Sequence, residues 1–318
     1  MLSIRLFGKF RVSRDGHSLP GLEAPRVREL FAYLLLHRDR PQLREHLATA
    51  LWSDCGSEQA RKYLRQTLWQ LQSAVDQTDT HVVVADPEAV GINTARMTFD
   101  LDVATFECSI ARARGVGGRD LPPDAAAALE QATRLYVADL LDGWYQDWCL
   151  FERERLQNLF MQTLDKLMVY CQAQRDYETG LFFGSRLLSF DRGHERTHRR
   201  LMRLHYLAGD RTAALRQYER CTAILAEELD VKPGHRTTEL FEQIRADSLI
   251  EPVPSAASAY ADSLSGIVER IVDLQASLSE LMLTLEQTTP RRDDRPPIDK
   301  PLSKGVTEVD VGRMSSPA

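Results

Sequence analysis

The feature that most constrains this chain is a helical segment that runs from Ser57, placed to cap it, to about Val75. Its apolar residues fall in one narrow sector of a helical wheel and must face a core: Ala60, Leu64, Leu68, Leu71 and Val75. The opposite sector carries no acid after Glu58, whereas a solvated helix normally mixes charges of both signs. The segment therefore needs a folded neighbour on one side and favours an anionic partner on the other.

The outward sector of this segment is rich in hydrogen-bond donors. Glutamine pairs with adenine and arginine with guanine in the major groove of DNA, and cations contact phosphates. Trp69 has two interpretations: it packs against a neighbouring hairpin, or it stacks on sugar and thymine methyl groups. Near the start of the first helix, Arg26 and Arg28 either reach phosphates or are solvated, and we expect one of them, Arg26, to make a phosphate contact. The predicted DNA-binding residues are Arg26, Arg61, Lys62, Arg65, Gln66, Trp69 and Gln70.

The elements around this segment predict a winged helix-turn-helix domain over residues 1–96. Ile4 and Leu6 alternate as in a strand, with a turn at Asp15 and Gly16. A first helix begins at Pro25 and ends before Pro41. A short second helix contains Leu43, Leu47, Ala48 and Leu51. Two β-like runs, 81–85 and 90–93, flank a turn at residues 86–88 and predict the hairpin.

Charge is distributed unevenly along the chain. The net charge is −6, yet residues 1–72 carry 12 Lys and Arg against 7 Asp and Glu, so the rest carries −11. A basic N-terminal part on an acidic remainder fits nucleic-acid binding by that part alone.

Residues 97–250 predict an all-α domain with a layer of helical repeats. The expected helices are 122–136, 148–174, 177–190, 194–207, 211–229 and 237–249. Two similar motifs, Arg175-Asp176-Tyr177-x-x-Gly180 and Gly209-Asp210-Arg211-x-x-Ala214, lie 34 residues apart, the period of tetratricopeptide (TPR) helix pairs. The fold class is therefore mainly α, with an α+β N-terminal domain followed by a TPR-like domain.

Beyond a linker at 251–259, residues 260–287 show a heptad pattern. The predicted oligomerisation residues are Leu264, Ile267, Ile271, Leu274, Leu278, Leu281 and Leu285. They form either a coiled coil between copies or an amphipathic helix folded back on the body. Residues 288–318, rich in proline and charge, are expected to be disordered.

Composition favours a cytoplasmic protein without a membrane partner. We find neither an export signal at the N-terminus nor an uninterrupted apolar run long enough to span a bilayer. The five cysteines are odd in number and form no CxxC pair, which favours reduced thiols.

Two groups of motifs, one in each half of the chain, follow a known family pattern. The N-terminal motifs are Ala24-Pro25-Arg26-Val27-Arg28-Glu29-Leu30, Leu51-Trp52 and Ala60-Arg61-Lys62-Tyr63-Leu64-Arg65-Gln66-x-Leu68. The C-terminal motifs are Asp142-Gly143-Trp144, Trp148 with Phe151-Glu152-Arg153-Glu154-Arg155-Leu156, Glu195-x-x-His198-Arg199-x-Leu201-Met202, Gly209-Asp210-x-x-x-Ala214-Leu215-x-x-Tyr218 and Glu227-Glu228-Leu229-x-Val231-x-Pro233. With these motifs the chain resembles SARP-type regulators, which combine a winged helix with a bacterial transcriptional activator domain. The resemblance covers about residues 1–248. It implies a transcription regulator that binds double-stranded promoter DNA and whose helical domain supports activation, often through RNA polymerase.

Two departures from the family pattern matter. Gln72 follows Leu71 where relatives commonly carry arginine, which predicts one phosphate contact fewer. The nucleotide-binding pattern GxxxxGK[ST] does not occur, so the sequence predicts no nucleotide switch. The alternative function is a helical-repeat adaptor that binds proteins and whose winged helix no longer binds DNA.

Three other motifs favour structure over chemistry, and we predict no enzyme, cofactor or metal. His194-Glu195-Arg196-Thr197-His198 matches the zinc motif HExxH, but charged neighbours and the match to the family pattern favour a structural role. Gly115-Val116-Gly117-Gly118 is read as a loop. Trp144, Tyr145 and Trp148 are interpreted as core anchors between the two domains, with an effector pocket as the alternative.

Overall fold

A computed structural model of the chain describes residues 1–76, 81–94 and 99–249. These residues all lie within one unit of the chain, Met1–Gly266. The predicted linker, coiled coil and tail, with all seven predicted oligomerisation residues, lie outside the described residues. We call the described residues up to 101 the head and residues 102–249 the body.

The chain opens with a sheet that a distant segment completes. Its strands are β1 (Leu2–Arg5), β2 (Arg11–Arg14), β3 (His17–Ser18) and β7 (Phe99–Leu101), in the order β3-β2-β1-β7. β1 and β2 are antiparallel, with Ile4 opposite Val12, and the predicted turn between β2 and β3 has a positive φ at both Asp15 and Gly16. β7 pairs with β1 in parallel. The sequence analysis placed β7 in the helical domain, whereas its backbone hydrogen bonds belong to the head.

The three predicted head helices and the hairpin are present. The helices are α1 (Pro25–Leu36), α2 (Arg44–Leu51) and α3 (Ser57–Val75), and the strands are β4 (Gln42–Leu43), β5 (Val83–Ala85) and β6 (Ala89–Ile92). β5 and β6 form the hairpin, which we call the wing, and β4 pairs with its second strand.

Two local predictions in the head were wrong. Leu43 lies in β4 before α2 and is half exposed, because the backbone of this residue pairs with Ala89 of the wing. Ser57 is the first residue of α3 and does not cap it; the extended Gly56 occupies the N-cap position. In both cases the element begins one residue away from where the pattern suggested.

The body is helical. Its helices are α4 (Asp102–Ala111), α5 (Pro123–Leu135), α6 (Asp147–Gln174), α7 (Tyr177–Leu188), α8 (Glu195–Leu207), α9 (Arg211–Leu229) and α10 (His235–Arg245), with a short 3-10 helix at Gly118–Asp120. The predicted helices agree with α5 to α9 within two residues at each end. α10 begins and ends earlier than predicted, and α4 was not predicted individually.

Helix pairs in the body begin with the same cap. Asp176 accepts a hydrogen bond from the Thr179 amide at the start of α7, and Asp210 accepts one from the Ala213 amide at the start of α9. A Cβ atom at Gly180 would lie 3.1 Å from the Leu204 side chain, so α7 and α8 approach closely there. The motif's small residue therefore serves helix packing.

One continuous apolar core extends from the head into the body. Phe7 of the head packs with its ring centroid 4.7 Å from Tyr136 and 5.2 Å from Phe106. The Gly8 amide donates to the Asp139 carbonyl oxygen at 2.8 Å, and the Leu141 amide donates to that of Leu6 at 2.8 Å. The head and the body therefore share backbone hydrogen bonds as well as side-chain contacts.

A buried carboxylate closes the junction between β7 and the body. Asp102, the first residue of α4, is 2% exposed and accepts hydrogen bonds from the backbone amides of Leu6, Phe7 and Val103 at 2.8–3.0 Å. These amides lie beyond the paired part of β1 and at the start of α4, where backbone donors need a partner. Asp102 therefore joins the end of the first strand to the first body helix.

Within the part of the chain that the structure describes, no helix has the length and apolar character needed to cross a membrane.

Candidate nucleic-acid interface

The outward face of α3 carries the predicted set. Of its six predicted members, Arg61, Lys62, Arg65, Gln66 and Trp69 are exposed, and Gln70 is half-buried. The predicted core face is buried, with Ala60, Leu64, Leu68, Leu71 and Val75 all at 4% exposure or less. Helical periodicity therefore separated the two faces correctly. Tyr63 lies on the exposed side as well, between Lys62 and the buried Leu64, and the sequence analysis did not single it out.

The cations on this face have few internal partners. Arg61 pairs with Glu45 of α2 at 2.7 Å, and both side chains are mostly exposed. Among the described residues, Lys62 and Arg65 have neither an ion pair nor a side-chain hydrogen bond. An exposed pair such as Arg61–Glu45 contributes roughly 0–1 kcal/mol, so another anion can replace Glu45 at little cost. The face is therefore cationic and available.

Arg26 occupies a different environment. Its Nη1 atom donates to Glu29 Oε2 at 2.8 Å and to the Leu51 carbonyl oxygen at 2.9 Å. The Glu29 side chain is only 6% exposed, so Arg26 neutralises a buried carboxylate. Within the described residues, Arg26 forms no hydrogen bond or ion pair with the predicted DNA-binding residues of α3.

Trp69 is 69% exposed, which distinguishes between its two interpretations. A tryptophan packed on the wing would lose most of its exposed surface. The ring instead lies exposed on the outward face of α3.

The wing is fixed to the end of α3 by hydrogen bonds. Asp76, directly after α3, accepts from the amides of Val82 and Val83 through Oδ1 at 2.8 and 3.3 Å. Gln72 Nε2 donates to the Val83 carbonyl oxygen at 3.4 Å. The residue that departs from the family pattern thus contacts the wing. The sequence analysis did not identify Asp76, because an acidic residue after a helix does not reveal that its hydrogen-bond partners lie six and seven residues later.

The turn of the wing, between β5 and β6, is held by α2. Arg44 Nε donates to the Asp86 carbonyl oxygen at 2.8 Å, and the Arg44 amide donates to that of Glu88 at 2.9 Å. In the turn, Asp86 Oδ1 accepts from the amides of Ala89 and Glu88, and these bonds lower the pKa of its carboxyl group. α2, α3 and the wing therefore form one connected surface.

The HExxH motif has a structural role. His198 is 1% exposed; its Nε2 bonds to the Arg192 carbonyl oxygen at 2.9 Å and its Nδ1 to the Gln217 side chain at 2.8 Å. Burial lowers the pKa of His198, which favours the neutral form of the ring. Glu195 accepts from the Gly234 amide and the Thr237 hydroxyl group. Both ring nitrogens of His198 are occupied, so the second histidine of the motif has no lone pair for zinc.

No group of three or more His, Cys, Asp or Glu side chains is placed to hold a metal ion in the described ranges. The glycine-rich segment is a packing site. A Cβ atom at Gly118 would lie 2.5 Å from the Lys166 carbonyl oxygen and 2.7 Å from Val169 Cβ, so only glycine lets this segment approach α6.

The predicted aromatic anchors divide into two kinds. Trp144 stacks on Phe10 of the head at 5.8 Å between ring centroids, and Trp148 meets Tyr33 of α1 edge to face at 5.3 Å. Arg153 holds the preceding segment by donating to the carbonyl oxygens of Leu140, Leu141 and Trp144. Tyr145, in contrast, is 79% exposed and anchors nothing.

The comparisons with known proteins agree with this architecture. Residues 101–245 match the family described as the bacterial transcriptional activator domain. The match covers 145 of the 318 residues of the chain. The match begins at the end of β7, within one residue of the start of the body.

Two relatives extend the similarity to the head. The chain is 27% identical to the regulatory protein AfsR of Streptomyces griseus over 88% of this chain and 29% of AfsR. It is 24% identical to the transcriptional regulatory protein EmbR of Mycobacterium tuberculosis over 85% of this chain and 70% of EmbR. The chain thus spans less than a third of AfsR.

A solved structure of Mycobacterium tuberculosis EmbR, in complex with a low-affinity phosphopeptide, has the same fold. The TM-score is 0.68 at 20% identity, over 85% of this chain and 70% of that one. The predicted mainly helical fold class with a small N-terminal sheet is thereby confirmed.

Proposed function

We propose that this chain is a sequence-specific DNA-binding transcription regulator, not an enzyme, and that α3 binds in the major groove of promoter DNA. The single observation that carries the proposal is the outward face of α3. It presents exposed Lys62 and Arg65 without internal partners, together with exposed Gln66 and Trp69. The names of the relatives, both regulatory proteins, support the same class.

The residues of the face divide into two roles. Arg61, Lys62 and Arg65 contact phosphates, which gives salt-dependent affinity without sequence preference. Gln66 and Gln70 read base edges, and Trp69 stacks on sugar or thymine methyl groups. We leave Arg26 out of this interface because its Nη1 atom is engaged with the buried Glu29.

The primary experiment is selection from a randomised duplex library by the full chain at two salt concentrations. We expect an enriched motif, with a slope of log affinity against log salt of about −2.7 from three phosphate-binding cations at about −0.9 each. Enrichment of a repeat with helical-turn spacing would also reveal two bound heads. Absence of DNA binding even at low salt would overturn the proposal in favour of the protein-binding adaptor.

Four variants separate the two roles. We expect Arg65→Ala to weaken binding to cognate and random duplexes alike and to reduce the salt slope by about 1. Gln66→Ala should cost about 1–3 kcal/mol on cognate DNA only. Arg134→Ala and Gln131→Ala, at exposed positions on α5, are the matched controls and should change neither affinity. Equal losses on both DNAs for Arg65→Ala and Gln66→Ala would contradict the assignment of roles.

We further propose that the body is a TPR-like layer that supports activation by contacting RNA polymerase, and that residues 260–287 mediate self-association. The repeated Asp caps and close helix packing support the TPR-like layer. The resemblance to SARP-type regulators supports the contact with RNA polymerase, and the heptad pattern supports self-association. Sedimentation of the full chain against a Leu274→Asp variant tests self-association: a single monomeric species for both proteins would contradict it.

A further inference from the structure

An open cleft lies where the head meets the body. The first turn of α1 contributes Pro25, Arg26, Arg28 and Glu29, and residues 143–146, directly before α6, contribute the other side. The cleft volume is about 660 Å³. Pockets for small molecules typically have volumes of about 300–1,000 Å³. The cleft is therefore large enough for a ligand of one or two rings, and such a ligand would contact both parts of the protein.

The body side of the cleft is aromatic and has one fixed ring and one exposed ring. Trp144 is held by stacking on Phe10 and by an edge-to-face contact with Trp148 at 6.2 Å. The neighbouring Tyr145 is 79% exposed and has no ring contact within the described residues. A planar ligand placed in the cleft would cover the Tyr145 ring and gain aromatic contacts.

The head side of the cleft has an uncompensated positive charge. Arg26 and Glu29 neutralise each other at 2.8 Å. Arg28 donates from Nη2 to the Glu23 carbonyl oxygen at 3.0 Å, and a carbonyl oxygen does not cancel its charge. Among the described residues, the Nε atom of Arg28 has no hydrogen-bond partner although it is buried, whereas buried polar nitrogens are nearly always bonded.

We propose that this cleft binds a small anionic molecule with an aromatic ring system. The anionic group accepts hydrogen bonds from Arg28, and the ring packs against Trp144 and Tyr145. Binding as such does not rest on the proposed DNA function. The regulatory consequence does: a ligand that joins α1 to the segment before α6 stabilises the head on the body and acts as an effector of the DNA-binding surface.

The test uses 8-anilinonaphthalene-1-sulfonate, which is anionic, aromatic and fluorescent when bound, titrated into the full chain. The matched probe is N-phenyl-1-naphthylamine, which has the same rings without the sulfonate. We expect saturable binding of one sulfonate probe per chain and at least fivefold weaker binding of the neutral probe. Binding that does not saturate, or equal affinity for the two probes, would overturn the proposal.

Variants locate the site. Arg28→Gln and Tyr145→Ala should each weaken binding of the sulfonate probe at least fivefold. Phe182→Ala, which removes an exposed aromatic ring elsewhere, and Arg134→Gln should leave binding unchanged. Tyr145 is so exposed that its replacement leaves the fold intact, so this variant remains informative if Arg28→Gln unfolds. Unchanged binding in Tyr145→Ala, or an equal loss in Phe182→Ala, would overturn the proposed site. None of these measurements involves DNA, so their outcome is independent of the DNA-binding result.

Discussion

The guanidinium groups of Arg65 on α3 and of Arg38 at the contact between head and body lie in opposite environments. Arg65 is exposed and has no ion pair with any residue that the structure describes. The Arg38 side chain is 10% exposed and pairs with Glu107 of α4, and Glu107 in turn binds Arg155 of α6 at 2.7 Å. An arginine bonded on all sides is committed to the fold, whereas an exposed one without partners is available to a ligand. Polar groups with internal partners should therefore govern stability, and those without should govern binding.

The largest effect on stability is expected when several internal hydrogen-bond partners of the head are removed together. A fragment of residues 1–96 lacks β7 and Asp102, so β1 loses its parallel neighbour and the Leu6 and Phe7 amides lose their acceptor. We expect this fragment to be unfolded and the fragment 1–249 to be folded, as measured by amide NMR dispersion. A well-dispersed spectrum for 1–96 would show that the head folds without the body.

A single substitution at the junction should have the next largest effect. Asp102→Ala leaves buried amides without acceptors, and we expect the free energy of unfolding to fall by about 3 kcal/mol. Asp39→Ala, at an exposed position without a described ion pair, is the control and should change it by less than about 0.5 kcal/mol. Denaturant unfolding measures both, and similar losses in the two variants would contradict the role of Asp102.

Stability measured at several pH values tests His198, whose two ring nitrogens have hydrogen-bond partners inside the body. Burial lowers the pKa of His198 from its ordinary value of 6.5, so the unfolded chain binds a proton that the folded chain does not. The contribution of His198 to the free energy of unfolding is therefore fully present above pH 6.5. As the pH falls below 6.5, this contribution decreases by up to about 1.4 kcal/mol per pH unit.

Burial also lowers the pKa of His205, so the informative quantity is the difference between wild type and His198→Gln. We expect a shallower acid loss in the variant, measured by urea unfolding between pH 7 and pH 5. The same slope in both proteins would mean that His198 does not titrate in this range.

The smallest effect on stability is expected on the outward face of α3. Because Arg65 has no partner in the folded protein, Arg65→Ala should change the free energy of unfolding by less than about 0.5 kcal/mol. Thermal unfolding checks this, alongside the loss of DNA affinity proposed above. A destabilisation of more than 1 kcal/mol would show that Arg65 serves the fold.

The sequence analysis predicted those features of the fold that depend on local residue patterns. The buried stripe of α3 and the ends of α6 to α9 follow from helical periodicity and caps, and so does the exposure of Arg65 and Gln66. β7 was not predicted because Phe99–Leu101 is too short for a periodic signal and is stabilised by β1, at the other end of the head. The position of Arg26 depends on the burial of Glu29, which no spacing reveals.

The parallel pairing of β1 with β7 also sets an order of events during synthesis. The first strand leaves the ribosome almost a hundred residues before its partner, and Leu140, which bridges to Phe7, follows later still. Contacts so far apart in the chain form slowly, because a long loop must close before any of them contributes. Translation must therefore pass beyond residue 101 before the first sheet has all its strands, and beyond residue 140 before the head gains its bridge to the body.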